Sequence, residues 1–219
     1  VDTYGIYFVP PEGAGEDDLR DALREALPEE IDVEFDGRYR SMFSYKMKNY
    51  ALLEDSGELV MRGAALKSRG LEPFQRRCTE ELLRCLVEDR PGDIPALFRD
   101  IEERIRTRTL PIRDLAKTET LQESPDAYRA KIENGSRARA AAYEVALRSE
   151  REYRAGDLVS YYVTGSKKSV TVYENAKPVA DWDPENRDEN VPYYLGKLAA
   201  LEKKFAEWIP DRNQGTLEL

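Results

Sequence analysis

Side chains able to hold a metal ion or a phosphate group lie at the start of the sequence and again at residues 48–50. Asp2 precedes an aromatic run at 6–9, and Lys48 and Tyr50 flank Asn49 in a strand-like stretch. A carboxylate can coordinate a divalent cation, and a lysine beside a tyrosine can contact a phosphate. An isolated Asp in a glycine-containing turn is more often a capping residue, so Asp2 by itself leaves both interpretations open.

Several classes of chemistry are excluded by composition. The 219 residues contain no histidine, so pairs of serine or cysteine with histidine and imidazole metal sites are absent. Cys78 and Cys85 are the two cysteines. Two helical turns would separate them by roughly 10 Å, whereas a disulfide needs Cα atoms within about 7 Å. We therefore expect buried, reduced thiols and a reducing, cytoplasmic location, and no membrane association, because no apolar run of about 18 residues exists.

The charges are unevenly distributed along the chain. The formal net charge is −9, and residues 11–37 contain eleven acidic and two basic side chains. Residues 38–77 contain nine basic and four acidic side chains, a local charge of +5. Because phosphate contacts depend on the local potential within about 8–10 Å, the acidic total does not exclude a nucleic acid as partner.

The residue patterns predict an α+β chain. A short strand is expected over 6–9, an amphipathic helix over 16–27 and a half-buried strand over 31–35. Asp36-Gly37 predicts a hairpin turn, and the segment 38–63 is expected to continue as β-structure.

From Pro73 onward the apolar residues follow a helical period. Helices are expected over 74–86, 94–105, 136–150 and 194–208. A β-hairpin is expected to pair 158–163 with 170–173. The change of period near residue 72 predicts a β-rich domain with one helix over 1–72 and a mainly helical domain over 73–219.

Five blocks in chain order resemble family B DNA polymerases. They are Asp2-Thr3-Tyr4-Gly5, the strand 45–52 with Lys48-Asn49-Tyr50, the segment 61–77 with Arg69-Gly70-Leu71-Glu72, the segment 154–163, and Asp181-Trp182-Asp183-Pro184 followed by Tyr193-Tyr194. The resemblance covers nearly the whole chain. It implies the end of a polymerase palm followed by a thumb domain that contains a β-hairpin.

The resemblance also implies an incomplete catalytic site. In the family, two Mg²⁺ ions are held by an upstream palm aspartate and by the last Asp of an Asp-Thr-Asp hairpin. The upstream aspartate, the nucleotide-binding helix and the exonuclease are expected to precede this chain. Asp2 matches the first, less critical Asp of the hairpin, and Tyr4 stands at the critical position. Since a neutral phenol is a poor Mg²⁺ ligand, we expect weak or absent metal binding and no polymerisation by this chain alone.

The same resemblance implies contacts to primer–template DNA through phosphates. The implied contacts are Lys46, Lys48, Tyr50, Lys67, Arg69, Arg76 and Arg77. Lys46 is expected on the same strand face as Lys48 because the two are two residues apart. The family more often has Arg at the place of Gln75. Each of these residues could equally be solvated surface if the resemblance were set aside.

The tail contains the spacing Gln-x-x-Leu-x-Leu at Gln214, Leu217 and Leu219. It resembles the peptide by which replication polymerases bind a sliding clamp, without the usual final Phe. A disordered end is the alternative.

The sequence thus predicts the C-terminal part of a family B DNA-directed DNA polymerase, which works with the remainder of the polymerase on primer–template DNA. The alternative is a non-catalytic DNA-binding or clamp-tethered subunit of a polymerase complex. An unrelated acidic α+β interaction protein is the third possibility.

Overall fold

The computed structural model describes residues 6–28, 31, 34–35, 37–67 and 70–210. The chain divides into two compact units, residues 1–39 and 40–219. In the first unit, helix α1 spans Glu16–Ala26, as the sequence predicts, and its first turn is acidic, which suits the positive end of the helix dipole. The Arg20 guanidinium lies 5.5 Å from the centre of the Phe35 ring.

The two short strands expected in the first unit are not formed by its described residues. Residues 6–9 are irregular, with Ile6 82% and Val9 92% exposed, and Ile31 and Phe35 lie outside any strand. Val33 and the turn residue Asp36 fall outside the described residues. A strand is stable only when its backbone groups pair with a neighbour, and the described residues of the first unit contain no strand.

The second unit, residues 40–219, contains two three-stranded antiparallel sheets and the remaining helices among its described residues. The strands are β1 Ser41–Lys46, β2 Asn49–Leu53, β3 Leu59–Arg62, β4 Lys117–Thr120, β5 Leu158–Val163 and β6 Ala176–Pro178. The helices are α2 Pro73–Val87, α3 Ile94–Arg106, α4 Ile112–Leu115, α5 Pro125–Glu133, α6 Ala141–Arg148, α7 Val172–Asn175 and α8 Val191–Lys204.

The first sheet has the order β1-β2-β3 and confirms the β-structure predicted for residues 38–63. Ser41 pairs with Leu53, and a bulge interrupts the ladder between Ser44 and Lys46. One face of the sheet carries aromatic side chains onto the end of α8. Phe43 stacks edge-on against Trp208, with the ring centres 5.2 Å apart.

Helices α2, α3 and α8 form the larger core and match three of the predicted helices. Phe74, Leu82, Phe98 and Phe205 are all at most 2% exposed. The core also includes residues of β2, so it runs without a break across the predicted boundary at residue 72.

Both cysteines lie in this core. Cys78 and Cys85 are buried and unpaired, which confirms the expectation of reduced thiols. Burial, together with the smaller effect of the nearby carboxylates of Glu202 and Glu81, raises the pKa of Cys78 to about 12.

The second sheet has the order β4-β5-β6, and its pairing corrects the predicted hairpin. Strand β5 forms as expected, but it pairs with β4 on one side and with β6 on the other. The segment expected to be its partner, 170–173, runs instead into the short helix α7. Pro178 ends an edge strand, where the missing N–H breaks no ladder hydrogen bond.

Between β4 and β5 the chain makes an excursion that contains α5 and α6. Backbone hydrogen bonds close its base, from Leu121 N to Asp157 O at 2.9 Å and from Gly156 N to Leu121 O at 2.7 Å. Tyr128 and Tyr143 stack inside it with ring centres 4.4 Å apart. The excursion therefore has its own small core, which packs onto β5.

Within residues 6–28, 31, 34–35, 37–67 and 70–210, no helix is both long enough and apolar enough to cross a bilayer.

Candidate nucleic-acid interface

Lys48 lies in the turn between β1 and β2, and its backbone has a φ of 64°. The expectation that Lys46 and Lys48 share one strand face is wrong, because β1 ends at Lys46 and the chain reverses at Met47 and Lys48. A non-glycine residue in the left-handed region is uncommon. The side chain of Lys48 is exposed at the tip of this turn.

Asn49 and Gly63 hold the Lys48 turn in place. The Asn49 amide donates to Met47 O at 2.9 Å, and its Oδ1 accepts from Ala65 N at 2.8 Å. Gly63 has a φ of 93°, and a β-carbon there would lie 2.7 Å from Asn49 Cα and would also collide with Lys48 O. Only glycine fits this close approach. Sequence reasoning treated Asn49 as a spacer, although an amide beside a turn residue is a known turn-forming signal.

Two ammonium groups lie by the ring of Tyr45. Lys46 Nζ is 5.2 Å and Lys204 Nζ is 5.4 Å from the ring centre. Lys204 also donates to Ala65 O. Burial lowers the pKa of Lys204, and the charge of Lys46 lowers it further, which shows that the two cations repel each other. The sequence pattern of this helix indicates only which apolar residues face the core. It therefore did not predict that Lys204 lies near Lys46.

The adjacent arginines of α2 have different surroundings. Arg77 donates from Nη1 to Asp114 Oδ1 at 2.7 Å and makes a second contact from Nη2 to Oδ2. The hydrogen bond that Arg77 donates to Asp114 raises the pKa of Arg77, and Asp114 is 5% exposed. Arg76 is exposed and lines a cleft of about 270 Å³ together with Lys117 of β4. Arg77 thus joins α2 to α4, whereas Arg76 faces open space.

At the start of α2 a buried carboxylate holds two lysines. Glu72 is 1% exposed, and its Oε1 lies 3.8 Å from Lys117 Nζ and 3.8 Å from Lys197 Nζ. The Tyr193 hydroxyl donates to the same oxygen at 3.5 Å. Burial raises the pKa of Tyr193, and the Glu72 carboxylate raises it further. Glu72 lies in the Arg69-Gly70-Leu71-Glu72 block, but the sequence alone assigns no role to its side chain.

Gln75 fixes the backbone around this carboxylate. Its Oε1 accepts from Glu72 N at 3.3 Å, and its Nε2 donates to Lys197 O at 3.2 Å. Gln75 is 4% exposed. Gln75, which stands where the resembled family more often has Arg, therefore links α2 to α8. We call Glu72, Gln75, Lys117, Tyr193 and Lys197 the Glu72 cluster.

The remaining predicted site residues divide into two groups. Lys67 is exposed, and Tyr50 is half-buried in β2. The others fall outside the described residues: Asp2, Tyr4, Arg69, Gln214, Leu217 and Leu219. Within the described ranges no three carboxylate or thiolate side chains converge as metal ligands, so the residues present there do not fit a metal site.

Comparison with known proteins gives the family. The model described as DNA polymerase family B matches residues 16–206. A DNA polymerase of Thermococcus kodakarensis is 25% identical over 176 residues, which are 78% of this chain and 10% of that protein. A DNA polymerase of Methanocaldococcus jannaschii is 24% identical over 167 residues, or 74% of this chain and 10% of that protein.

A solved structure agrees with the sequence matches. The family B DNA polymerase from the hyperthermophilic archaeon Pyrobaculum calidifontis superposes with a TM-score of 0.66 at 19% identity, over 92% of this chain and 25% of that one. This likeness concerns the fold. The chain spans a tenth of the two curated relatives and a quarter of the solved structure. Because the family model covers most of the sequence, the chain belongs to DNA polymerase family B.

Proposed function

We propose that this chain is the C-terminal part of a DNA-directed DNA polymerase and that it binds primer–template duplex during template-directed synthesis. In this proposal residues 1–72 are the end of the palm and residues 73–219 are the thumb. Its predicted contacts in the second unit include basic side chains of the β1–β2 turn and of the first turn of α2, together with Tyr50 and Lys67. Such contacts hold the DNA backbone and read no sequence.

The observation that carries the proposal is the construction of the Lys48 turn. A lysine at a left-handed turn position extends from a backbone that Asn49 and the close approach of Gly63 hold in a defined place. A solvated surface lysine needs no such support. A turn that is already ordered in the free protein adds no backbone ordering cost when its lysine binds a phosphate.

Catalysis in the proposed whole enzyme requires residues beyond those described. Nucleotidyl transfer by a metal-dependent polymerase uses bound Mg²⁺ to stabilise the attacking and leaving oxygens. Asp2 is the proposed remaining ligand of this chain, and Tyr4 occupies the place of the principal one. The chain alone is therefore proposed to bind nucleic acid without extending a primer, and the rest of the polymerase is its proposed partner.

Tyr4 supports a second candidate function. A chain whose hairpin lacks the principal carboxylate could serve as a non-catalytic DNA-binding subunit beside a separate catalytic chain. In that role the tail residues Gln214, Leu217 and Leu219 would bind a sliding clamp. Either role places the protein with DNA in the cytoplasm, at the nucleoid.

The test is a titration of labelled primed duplex with the 219-residue chain at increasing salt. Binding should be independent of sequence and should weaken with a log–log slope of about −0.9 per phosphate neutralised. An unprimed duplex of unrelated sequence should bind with similar affinity. Absence of binding at low salt, or affinity unchanged by salt, would contradict the proposal.

A further inference from the structure

The Glu72 carboxylate is placed in a way that packing alone does not explain. It is 1% exposed, and among the described residues its Oε2 has no hydrogen-bond partner. A carboxylate removed from water is unfavourable unless it is paired and hydrogen-bonded, and apolar side chains of similar size generally stabilise such a position better. The cluster therefore retains a buried carboxylate with one oxygen unsatisfied.

The carboxylate contacts two lysines that come from distant parts of the chain. Lys117 belongs to β4 and Lys197 to α8, and both ammonium groups lie 3.8 Å from Glu72 Oε1. The two nitrogens are thus no farther apart than twice that distance. Two like charges so close together repel, and the shared carboxylate offsets this repulsion.

Both lysines also reach open surface. Their side chains are 26% and 33% exposed. Lys117 lines the cleft that contains Arg76, and Lys197 lines a second cleft of about 390 Å³ with Lys168. With one carboxylate and two ammonium groups, the cluster itself keeps a net positive charge. In the Lys117 cleft the charge of Arg76 adds to it, and Glu119 also lines that cleft.

We propose that Glu72 is a positioning residue that holds Lys117 and Lys197 as a preorganised pair for the phosphate groups of a bound nucleic acid. The inference rests on the proposed function and extends it, because none of these three residues was among the predicted contacts. Holding both ammonium groups in the free protein removes an entropic cost that flexible lysines would incur on binding. Gln75 supports the arrangement by fixing the backbone of Glu72 and of Lys197.

The variant Glu72→Gln separates positioning from simple charge. If only net charge mattered, removal of a negative charge would strengthen binding to DNA. If Glu72 positions the lysines, affinity should fall despite the added positive charge, by at least about threefold at low salt. The matched control is Glu81→Gln, the same charge change at an exposed position of the same helix. Affinity that rises equally in both variants would overturn the inference.

A second variant keeps the charge and guards against loss of folding. Glu72→Asp retains the carboxylate but retracts it by one methylene, so a charge effect predicts unchanged affinity and positioning predicts a loss of at least about threefold. Thermal unfolding of each variant shows whether it is folded. The single variants Lys117→Gln and Lys197→Gln and the double variant that combines them complete the design, because a preorganised pair should lose nearly as much affinity with one lysine removed as with both. Additive losses would overturn the inference.

The outcome for the unaltered chain distinguishes the two proposals. If the parent chain binds no DNA, the proposed function fails. If the parent binds in a salt-dependent manner and Glu72→Asp binds equally well, the positioning role fails while the proposed function stands.

Discussion

Gly63 approaches the Lys48–Asn49 turn so closely that a β-carbon on Gly63 would lie 2.7 Å from Asn49 Cα. The end of β3 is thereby fixed against the turn that connects β1 and β2. The turn that it supports holds Lys48 at a φ of 64°.

Gly63→Ala should destabilise the protein by at least about 2 kcal/mol, because a positive φ and a backbone collision both oppose the added methyl group. The matched control is Gly57→Ala. Gly57 also has a positive φ, of 84°, but a β-carbon there would meet nothing within 4 Å. The control should cost about 1 kcal/mol, the backbone contribution alone. Urea unfolding measures the free energy of unfolding of both variants. Equal decreases would show that the close approach of Gly63 to the turn does not contribute to stability.

Lys48→Ala should weaken binding to primed duplex by about 1 kcal/mol or more, since a charge-assisted contact to phosphate is lost. Thermal stability should change little because the side chain is exposed at the turn. Lys131→Ala is a suitable control, because Lys131 pairs with Glu123 at 2.6 Å and is outside the predicted set. If stability and affinity fall together in Lys48→Ala, the turn has a structural role instead.

Arg76 and Arg77 are adjacent and should respond in opposite ways. Arg77→Ala removes the partner of the buried Asp114 and should destabilise the fold by about 2–3 kcal/mol. Arg76→Ala should leave stability within about 0.5 kcal/mol and should reduce affinity for DNA. Denaturant unfolding and duplex titration on both variants check this. A stable Arg77→Ala protein with lost affinity would make Arg77 a direct phosphate contact.

Stability should decrease in alkaline solution. The pKa of Cys78 is raised to about 12 by burial, and burial also raises the pKa values of Tyr161 and Tyr194. The unfolded chain loses these protons near pH 8.5–10, whereas the folded chain keeps them. The stabilising contribution is therefore complete below about pH 8.5 and is lost as the pH rises toward 12.

Urea unfolding at pH 7, 9 and 10 measures this decrease. Cys78→Ala is the informative variant, because it should flatten the decrease between about pH 8.5 and 9.5 while the tyrosine contribution at higher pH remains. A stability that rises from pH 7 to 10 would contradict the assignment.

Under the proposed function, Tyr4→Asp should allow catalysis when the chain is combined with a family B palm that carries the other metal ligand. In a background reconstituted with the upstream palm, recovery of the principal metal ligand should increase primer extension with Mg²⁺ by at least about a hundredfold. The Tyr4 chain in the same background is the control. Robust extension with Tyr4 present would show that another carboxylate supplies the ligand.

Helices whose apolar residues recur with a clear period could be predicted from the sequence. Strands that exist only because their backbone pairs with a neighbouring strand could not. The apolar stripes of α2, α3 and α8 identify those helices. Strand β4 has the sequence Lys-Thr-Glu-Thr and no buried side chain, so only its pairing with β5 makes it a strand. The β-branched and aromatic residues of 170–173 favoured a strand, but the backbone partner of β5 is 176–178.

The candidate site shows the same division. The residue types and order predicted a phosphate-binding surface around Lys48 and Arg76, which stays a prediction. The roles of Asn49, Gln75 and Glu72 depend on which distant backbone groups and ammonium groups they meet. Those partners are brought together by folding, and no local pattern in the sequence encodes them.

The excursion between β4 and β5 has a consequence for how the chain can vary in length. Hydrogen bonds at Leu121 join the points where the excursion leaves and rejoins the sheet, so the register of β4 on β5 does not depend on how many residues lie between. Lengthening an already closed loop adds little entropic cost. The exposed turn at Gly135 is accordingly the place where this fold can accept an inserted peptide, such as a fluorescent tag, with its strand pairing unaltered.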